Sequence, residues 1–205
     1  MPRDSRLSNP ADYVDDVAKF FSKGKKGPRK INYEESFRAD SSKPPFKTNR
    51  FGAEELQNNS LLFRLGEREH SKGILQSQIN SINRSNKTTI SALHKSKELA
   101  LEMYDSLKSN DLTKFSDIMN KSWEAKRNFT KGVSNKRIEM VSKKAIEKGA
   151  KSLKVTGAGG GGHFFVYADP SKHSSIIKSL KKLGVNSVDF KYQNQGAKIF
   201  EINNL

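Results

Sequence analysis

The chain has 205 residues, and its 38 Lys and Arg against 22 Asp and Glu give a formal net charge of +16. Because it contains no cysteine, disulfide scaffolds, thiolate metal sites, iron–sulfur clusters and cysteine nucleophiles are excluded. No stretch approaches the roughly 20 continuous apolar residues of a membrane-spanning helix, and the first residues lack the apolar segment of a secretory signal. We therefore expect a cytoplasmic protein with no membrane partner.

Residues 1–54 are expected to form a flexible basic arm or linker. Within it, apolar residues at 13–21 recur at helical spacing and predict one short amphipathic helix. A break rich in Gly, Pro and Lys follows at 24–30, and few apolar residues occur between it and Phe51. We therefore place a boundary after residue 54 and expect residues 55–205 to form the folded domain.

The next part of the chain predicts one strand and four helices. The apolar run 61–66, which ends at glycine, is typical of a buried strand. Helical spacing then predicts helices over 74–82, 90–107 and 112–123, with Asn110-Asp111 as the start signal of the third. A fourth helix is predicted to begin at Ser134-Asn135, with Ser134 a candidate cap, and to end at Gly149.

The pattern changes after residue 149. Residues 152–156 and 163–168 predict strands, and Asp169-Pro170 opens a helix that Gly184 closes. A final pair of strands is predicted over 185–192 and 197–202. The order of elements predicts an α+β fold, in which helices pack on one face of an antiparallel-rich sheet.

A glycine-rich loop, residues 156–162, holds five of the 14 glycines of the chain. It matches G-x-G-x-x-G formally, but a strand follows where the dinucleotide-binding fingerprint requires a helix. No Lys-Ser or Lys-Thr pair follows, which excludes a Walker A loop. Consecutive glycines admit positive φ and leave main-chain amides accessible to an anion. The candidate phosphate- and substrate-binding residues are Thr156, Gly157, Ala158, Gly159, Gly160, Gly161 and Gly162, together with His163 and the hydroxyl of Ser134.

This loop and the helices before it resemble the C-terminal half of the GHMP sugar kinases, most visibly the D-glycero-D-manno-heptose 7-phosphate kinase branch. The resemblance rests on Ser122-Trp123, on Gly132-Val133-Ser134-Asn135 and on the third family motif at 157–162, and it spans about residues 55–202. It implies a ferredoxin-like domain and ATP-dependent phosphorylation of a sugar or sugar phosphate. It also implies ATP and Mg²⁺ as cofactors, with the glycine motif lining the phosphate and substrate site.

The chain also departs from the family pattern. The first phosphate-binding motif, Pro-x-x-Gly-Leu-Gly-Ser-Ser, is absent, and so are the magnesium-ligating acid and the catalytic Asp that the family carries in its N-terminal domain. Lys131 stands where relatives often have Pro, and His163 where a hydrophobic residue or Cys is usual. No catalytic residue or metal ligand is therefore assigned here, and the main ligands of ATP and Mg²⁺ are missing. We expect little or no kinase activity from this chain alone, whether it is a gene fragment, a pseudo-kinase or one half of a split enzyme with an N-terminal partner.

The alternative is a non-catalytic basic protein that binds nucleic acid or another acidic partner. Its lysines are spread along most of the chain, and residues 19–50 lack the interleaved aromatic side chains on which single-stranded bases stack. Nucleic acid is therefore the weaker expectation. The two hypotheses differ in salt dependence, since nucleic-acid binding should weaken steeply and log-linearly with salt. The assignment of the glycine loop as the site predicts that Gly160→Val abolishes ligand binding without unfolding the domain.

Overall fold

The computed structural model describes residues 50–66 and 71–192. The amphipathic helix predicted at 13–21, the basic arm up to residue 49 and the strand predicted at 197–202 lie outside the described residues. Six helices and four strands occur in the described part. The helices are α1 Arg50–Asn58, α2 Ser71–Asn83, α3 Lys87–Lys108, α4 Leu112–Arg127, α5 Lys136–Glu147 and α6 Pro170–Lys181. The strands are β1 Ser60–Gly66, β2 Ala150–Val155, β3 Gly162–Ala168 and β4 Asn186–Val188.

The strands form one antiparallel sheet in the order β2-β3-β1-β4. Strand side chains alternate between the two faces, so the register that pairs Phe63 with Phe164 brings both onto the same face. Both rings are fully buried there against side chains of α5 and α6, among them Val141 and Ile176. The α+β fold with an antiparallel sheet is thus confirmed.

Helix α4 runs along the outer edge of β2. Its Asn120 side chain donates to the carbonyl of Lys151 at 2.9 Å, and the buried Ser116 hydroxyl donates to that of Ser152 at 2.9 Å. Side chains of α4 therefore satisfy polar groups of an edge strand, which would otherwise be open to pairing with another chain.

A second core lies on the other side of β3, where Phe115 meets Tyr167 edge to face with 5.7 Å between ring centroids. Leu56 of α1 packs against this cluster. The boundary expected after residue 54 therefore falls inside a helix that packs on the domain, and α1 was not predicted. The strand predicted over 185–192 is also shorter than expected, since β4 ends at Val188.

Helix starts follow short polar side chains, as predicted, with one correction. Asp111 caps α4 and Asp169 caps α6, each accepting from a main-chain amide of the first turn. At α5 the capping side chain is Asn135, which accepts from the amide of Ile138 at 2.9 Å, whereas Ser134 was the candidate cap. None of the described helices combines the length and the apolar character needed to cross a membrane.

Candidate functional site

The glycine-rich loop joins the adjacent strands β2 and β3. The main chain takes left-handed φ values at Gly157 (+66°), Gly159 (+97°) and Gly160 (+73°). The loop closes at Thr156, whose main-chain amide donates to the carbonyl of His163 at 2.9 Å. Residues that carry a Cβ rarely adopt such φ values, so the path of this loop requires glycine.

The loop packs directly on the Gly132-Val133-Ser134-Asn135 segment that precedes α5. The amide of Gly160 donates to the carbonyl of Val133 at 2.9 Å. A Cβ at Gly159 would lie 2.7 Å from that oxygen, and one at Gly160 would lie 2.6 Å from Cδ1 of Ile74. The glycines are therefore needed for packing, and Gly160→Val would strain the loop as well as disturb any ligand. It is not the clean test of binding that the sequence suggested.

Asn135 links the start of α5 to the loop. Its Oδ1 caps the helix, while its Nδ2 donates to the carbonyl of Gly160 at 3.3 Å. The α5 N-terminus, which carries the positive end of the helix dipole, therefore lies beside the glycines. Arg137 is fixed nearby, since its guanidinium donates to the carbonyls of Leu65 and Leu183, each at 3.3 Å.

A cavity of about 640 Å³, which we call the loop cavity, opens between these parts. Its walls are the end of β1 (Leu65, Gly66), residues 135–138 and Gly160-Gly161. Lys136 and Arg137 add positive charge to the helix N-terminus, and N–H groups at helix N-termini are favourable partners for phosphate oxygens. The loop cavity is chemically suited to an anionic group.

Ser134 faces a different depression, the polar cavity, of about 500 Å³. Its hydroxyl donates to Glu139 at 2.5 Å, and Arg127 bridges Glu139 (3.1 Å) and Glu124 (2.8 Å). The residues that line the polar cavity are Glu124, Arg127, Asn128, Thr130, Lys131, Gly132 and Ser134. Ser134 and the glycines thus lie near each other, but in the described residues they line separate cavities.

His163 is exposed on β3, opposite Arg64 of β1, and it does not line either cavity within the described residues. Its contribution to the loop is its carbonyl, which Thr156 engages through both its amide and its hydroxyl. The residues that sequence reasoning missed are Asn135 as a link to the loop, Lys136 and Arg137 in the loop cavity, and Lys126 below the loop. The sequence signal for Asn135, Lys136 and Arg137 was a helix start in a chain that also carries a glycine motif. The lysines were interpreted as solvated because they lie in a Lys-rich segment.

The donor set of the loop cavity fits phosphate better than a metal ion. Among the described residues, no three His, Asp or Glu side chains cluster so that they could hold a metal. The nearby carboxylates of Glu124 and Glu139 already pair with Arg127. The loop cavity is therefore suited to a phosphate group, and the described residues hold no carboxylate cluster of the kind that Mg²⁺ prefers.

Comparisons with known proteins agree with this architecture. Residues 103–186 match the family model of the GHMP kinase C-terminal domain. The D-glycero-alpha-D-manno-heptose 7-phosphate kinase of Campylobacter jejuni is 30% identical over 158 residues, which are 77% of this chain and 46% of that enzyme. A crystal structure of a sugar kinase from Campylobacter jejuni is 29% identical and superposes with a TM-score of 0.51 over 74% of this chain and 42% of that one.

A D-glycero-D-manno-heptose 1-phosphate kinase from Bacteroides thetaiotaomicron shares the fold, with a TM-score of 0.51 at 21% identity, over 77% of this chain and 41% of that one. The chain spans less than half the length of these relatives. In each comparison most of the chain aligns, which agrees with the family model match at residues 103–186. Residues 103–186 of the chain therefore match the C-terminal domain of the GHMP kinases.

Proposed function

We propose that the chain supplies the C-terminal half of an ATP-dependent kinase for a sugar or sugar phosphate, with a heptose phosphate as the favoured substrate class. The observation that carries the proposal is the glycine loop, which is held against residues 132–135 and lines a cavity beside the start of α5, with Lys136 and Arg137 on its wall. The names of its relatives support a sugar phosphate as the substrate.

Phosphoryl transfer depends mainly on positioning and on stabilising negative charge, so the roles of this half are to bind and to orient. The amides of the α5 N-terminus hold phosphate oxygens together with loop amides other than that of Gly160, which donates to Val133. Lys136 and Arg137 add positive charge at the loop cavity. ATP, when bound, supplies the transferred phosphoryl group. The family resemblance assigns the nucleotide cradle, the magnesium ligand and the catalytic Asp to an N-terminal half, in the same polypeptide or a separate one.

The polar cavity suits the sugar rather than the phosphate. Its carboxylate, amide and hydroxyl groups are the donors and acceptors that pair with sugar hydroxyls. Ser134 lies in this cavity, next to the turn that supports the glycine loop. We therefore assign Ser134 to the sugar end of the substrate and Gly160 and Gly161 to the phosphate end.

The proposal is tested by transfer of radiolabelled phosphate from ATP to a panel of sugar phosphates. The 205-residue chain alone is expected to give little or no product, because it lacks the Pro-x-x-Gly-Leu-Gly-Ser-Ser motif to which the family resemblance assigns the nucleotide. Addition of the N-terminal half of a GHMP kinase is expected to raise the rate. Clear turnover by the chain alone would overturn the need for a second half.

Binding to the chain alone is tested separately by titration calorimetry with a heptose phosphate. Lys136→Gln is expected to weaken binding by about threefold to tenfold, since one charged contact at a partly exposed site contributes roughly 1 kcal/mol. Lys143→Gln removes the same charge from the same helix, at a residue that does not line the loop cavity. Equal effects of the two substitutions would count against the loop cavity as the phosphate site.

A further inference from the structure

A lysine lies below the point at which the glycine loop leaves β2. Lys126, in the last turn of α4, is only 7% exposed. Its ammonium donates to the carbonyl of Val155 at 2.7 Å and to that of Gly157 at 2.5 Å. We propose that Lys126 is a positioning residue that fixes the glycine loop in the conformation that receives phosphate; the last part of this statement rests on the proposed function.

Burial of an ammonium group costs free energy, which hydrogen bonds to carbonyl oxygens offset in part. An apolar side chain of similar length would fill the same space without that cost. The two carbonyls flank Thr156, the residue at which the chain passes from strand to loop. A lysine at this position is therefore explained by control of the loop main chain more readily than by stability alone.

The two hydrogen bonds also set the direction of the loop amides. In a trans peptide the carbonyl and the following N–H point in opposite directions. The first peptide shows this, since the Val155 carbonyl faces Lys126 while the Thr156 amide faces β3 and donates to His163. By the same geometry, the Gly157 carbonyl held by Lys126 directs the Ala158 amide away from α4.

The far end of the loop is held in the same manner. The amide of Gly160 is bound by Val133, and the carbonyl of Gly160 is bound by Asn135. Glycine-rich segments lose more conformational entropy than others when they are ordered. A loop held at Gly157 and at Gly160 has lost that entropy before a ligand arrives, so the cost of ordering it on binding is smaller.

Lys154 provides a matched control. It lies on β2 next to Val155 and is partly buried. Its ammonium donates to the hydroxyl of Ser122 on α4, the helix that also carries Lys126. Lys154→Met therefore removes an equivalent charge and an α4–β2 hydrogen bond but leaves the hydrogen bonds of the loop intact.

The test is amide hydrogen exchange on the full 205-residue chain. Lys126→Met is expected to speed exchange in residues 156–162 by about tenfold or more, the size of effect expected when hydrogen bonds from a charged group are lost. Exchange in β1 and β3 should stay unchanged, Lys154→Met should leave the loop unaffected, and Lys126→Arg should restore part of the protection. Unchanged loop exchange in Lys126→Met would overturn the proposal.

Two further outcomes separate this proposal from the proposed function. If Lys126→Met fails to fold, the exchange experiment is run on Lys126→Gln, which keeps a hydrogen-bond donor without the charge. Global unfolding of both variants would show that Lys126 serves stability and would overturn the proposal. Calorimetry with heptose phosphate is then run on the wild type and on a folded variant. Loop protection that depends on Lys126 in a chain that binds no phosphate would support the positioning role and refute the proposed function.

Discussion

Gly159 packs against the main chain of Val133 so closely that a Cβ has no room. A Cβ there would lie 2.7 Å from the carbonyl oxygen and 2.8 Å from the Cα of Val133, at a φ of +97°. Gly159→Ala is expected to lower the free energy of unfolding by about 3 kcal/mol, the sum of roughly 1–2 kcal/mol for left-handed backbone and a similar amount for overpacking. Urea denaturation measures this loss.

Gly184→Ala is the control for that substitution. Gly184 also has a left-handed φ, of +70°, but the nearest atom to an added Cβ is Nη2 of Arg137 at 3.8 Å, which is an ordinary contact. Its expected cost is therefore the backbone strain alone, about 1–2 kcal/mol. Equal losses for Gly159→Ala and Gly184→Ala would show that the close approach to Val133 contributes nothing.

Lys154 is expected to make stability depend on pH. Burial lowers the pKa of Lys154 below its ordinary value of 10.5, so folding favours the neutral amine. Between the lowered pKa and 10.5 the unfolded chain binds more protons than the folded chain, and stability rises with pH; at lower pH the cost of burying the charge is present in full. The difference in free energy of unfolding between wild type and Lys154→Met should therefore move in favour of the wild type as pH rises toward 10.5. A difference that is constant or falls with pH would contradict this.

At the level of elements, the attachment of α4 to β2 depends on a buried pair of hydroxyls. The Ser116 and Ser152 side chains are 5% and 0% exposed and are 2.9 Å apart. Ser116→Ala or Ser152→Ala alone leaves one buried hydroxyl without this partner, at a cost of about 1–3 kcal/mol. The double substitution removes both hydroxyls, so its loss is expected to be smaller than the sum of the single losses. Strict additivity in a denaturation cycle would mean that the two residues are not coupled.

Most helices and strands of the described residues were predictable from the sequence, and α1 was not. The periodic apolar residues of β1, α5 and α6 predicted those elements because each buries one face in the same core, and such burial leaves a pattern of 2.0 or 3.6 residues. Helix α1 was missed because it is short and contributes Leu56 to the core with few other apolar residues. The position of α4 on the β2 edge depends on hydrogen bonds between residues about 30 positions apart in sequence, such as Asn120 to Lys151, and no local pattern encodes them.

The two segments that form the candidate site were predictable from the sequence, but their contact was not. The glycine run and the helix start at residues 134–135 are local signals, and both parts line or adjoin the loop cavity. Their contact, Gly160 on Val133, joins segments that are far apart in sequence, and so does the support of the loop by Lys126. The sequence therefore indicated the two parts of the site but neither the packing that joins them nor the division into two cavities.

At the level of the whole molecule, the net charge of +16 permits a second explanation of any anion binding. Diffuse attraction to a polyanion strengthens with its length, and its affinity falls log-linearly with salt in proportion to the phosphates contacted. Binding of one phosphate group in a defined cavity is expected to show a shallow salt slope instead. Fluorescence anisotropy with oligonucleotides of increasing length measures the dependence of affinity on polyanion length. An affinity for oligonucleotides that rises with their length and far exceeds the affinity for sugar phosphate would favour the nucleic-acid interpretation.

The most direct test is a nuclear magnetic resonance titration of the isotope-labelled 205-residue chain with a heptose 7-phosphate. The account predicts saturable changes in the amide signals of residues 157–162 and of residues 134–137, and little change in those of α3. Saturable changes at the loop would establish that the glycine motif and the start of α5 form one phosphate site. The absence of any saturable change, or changes confined to lysines remote from the loop, would contradict it.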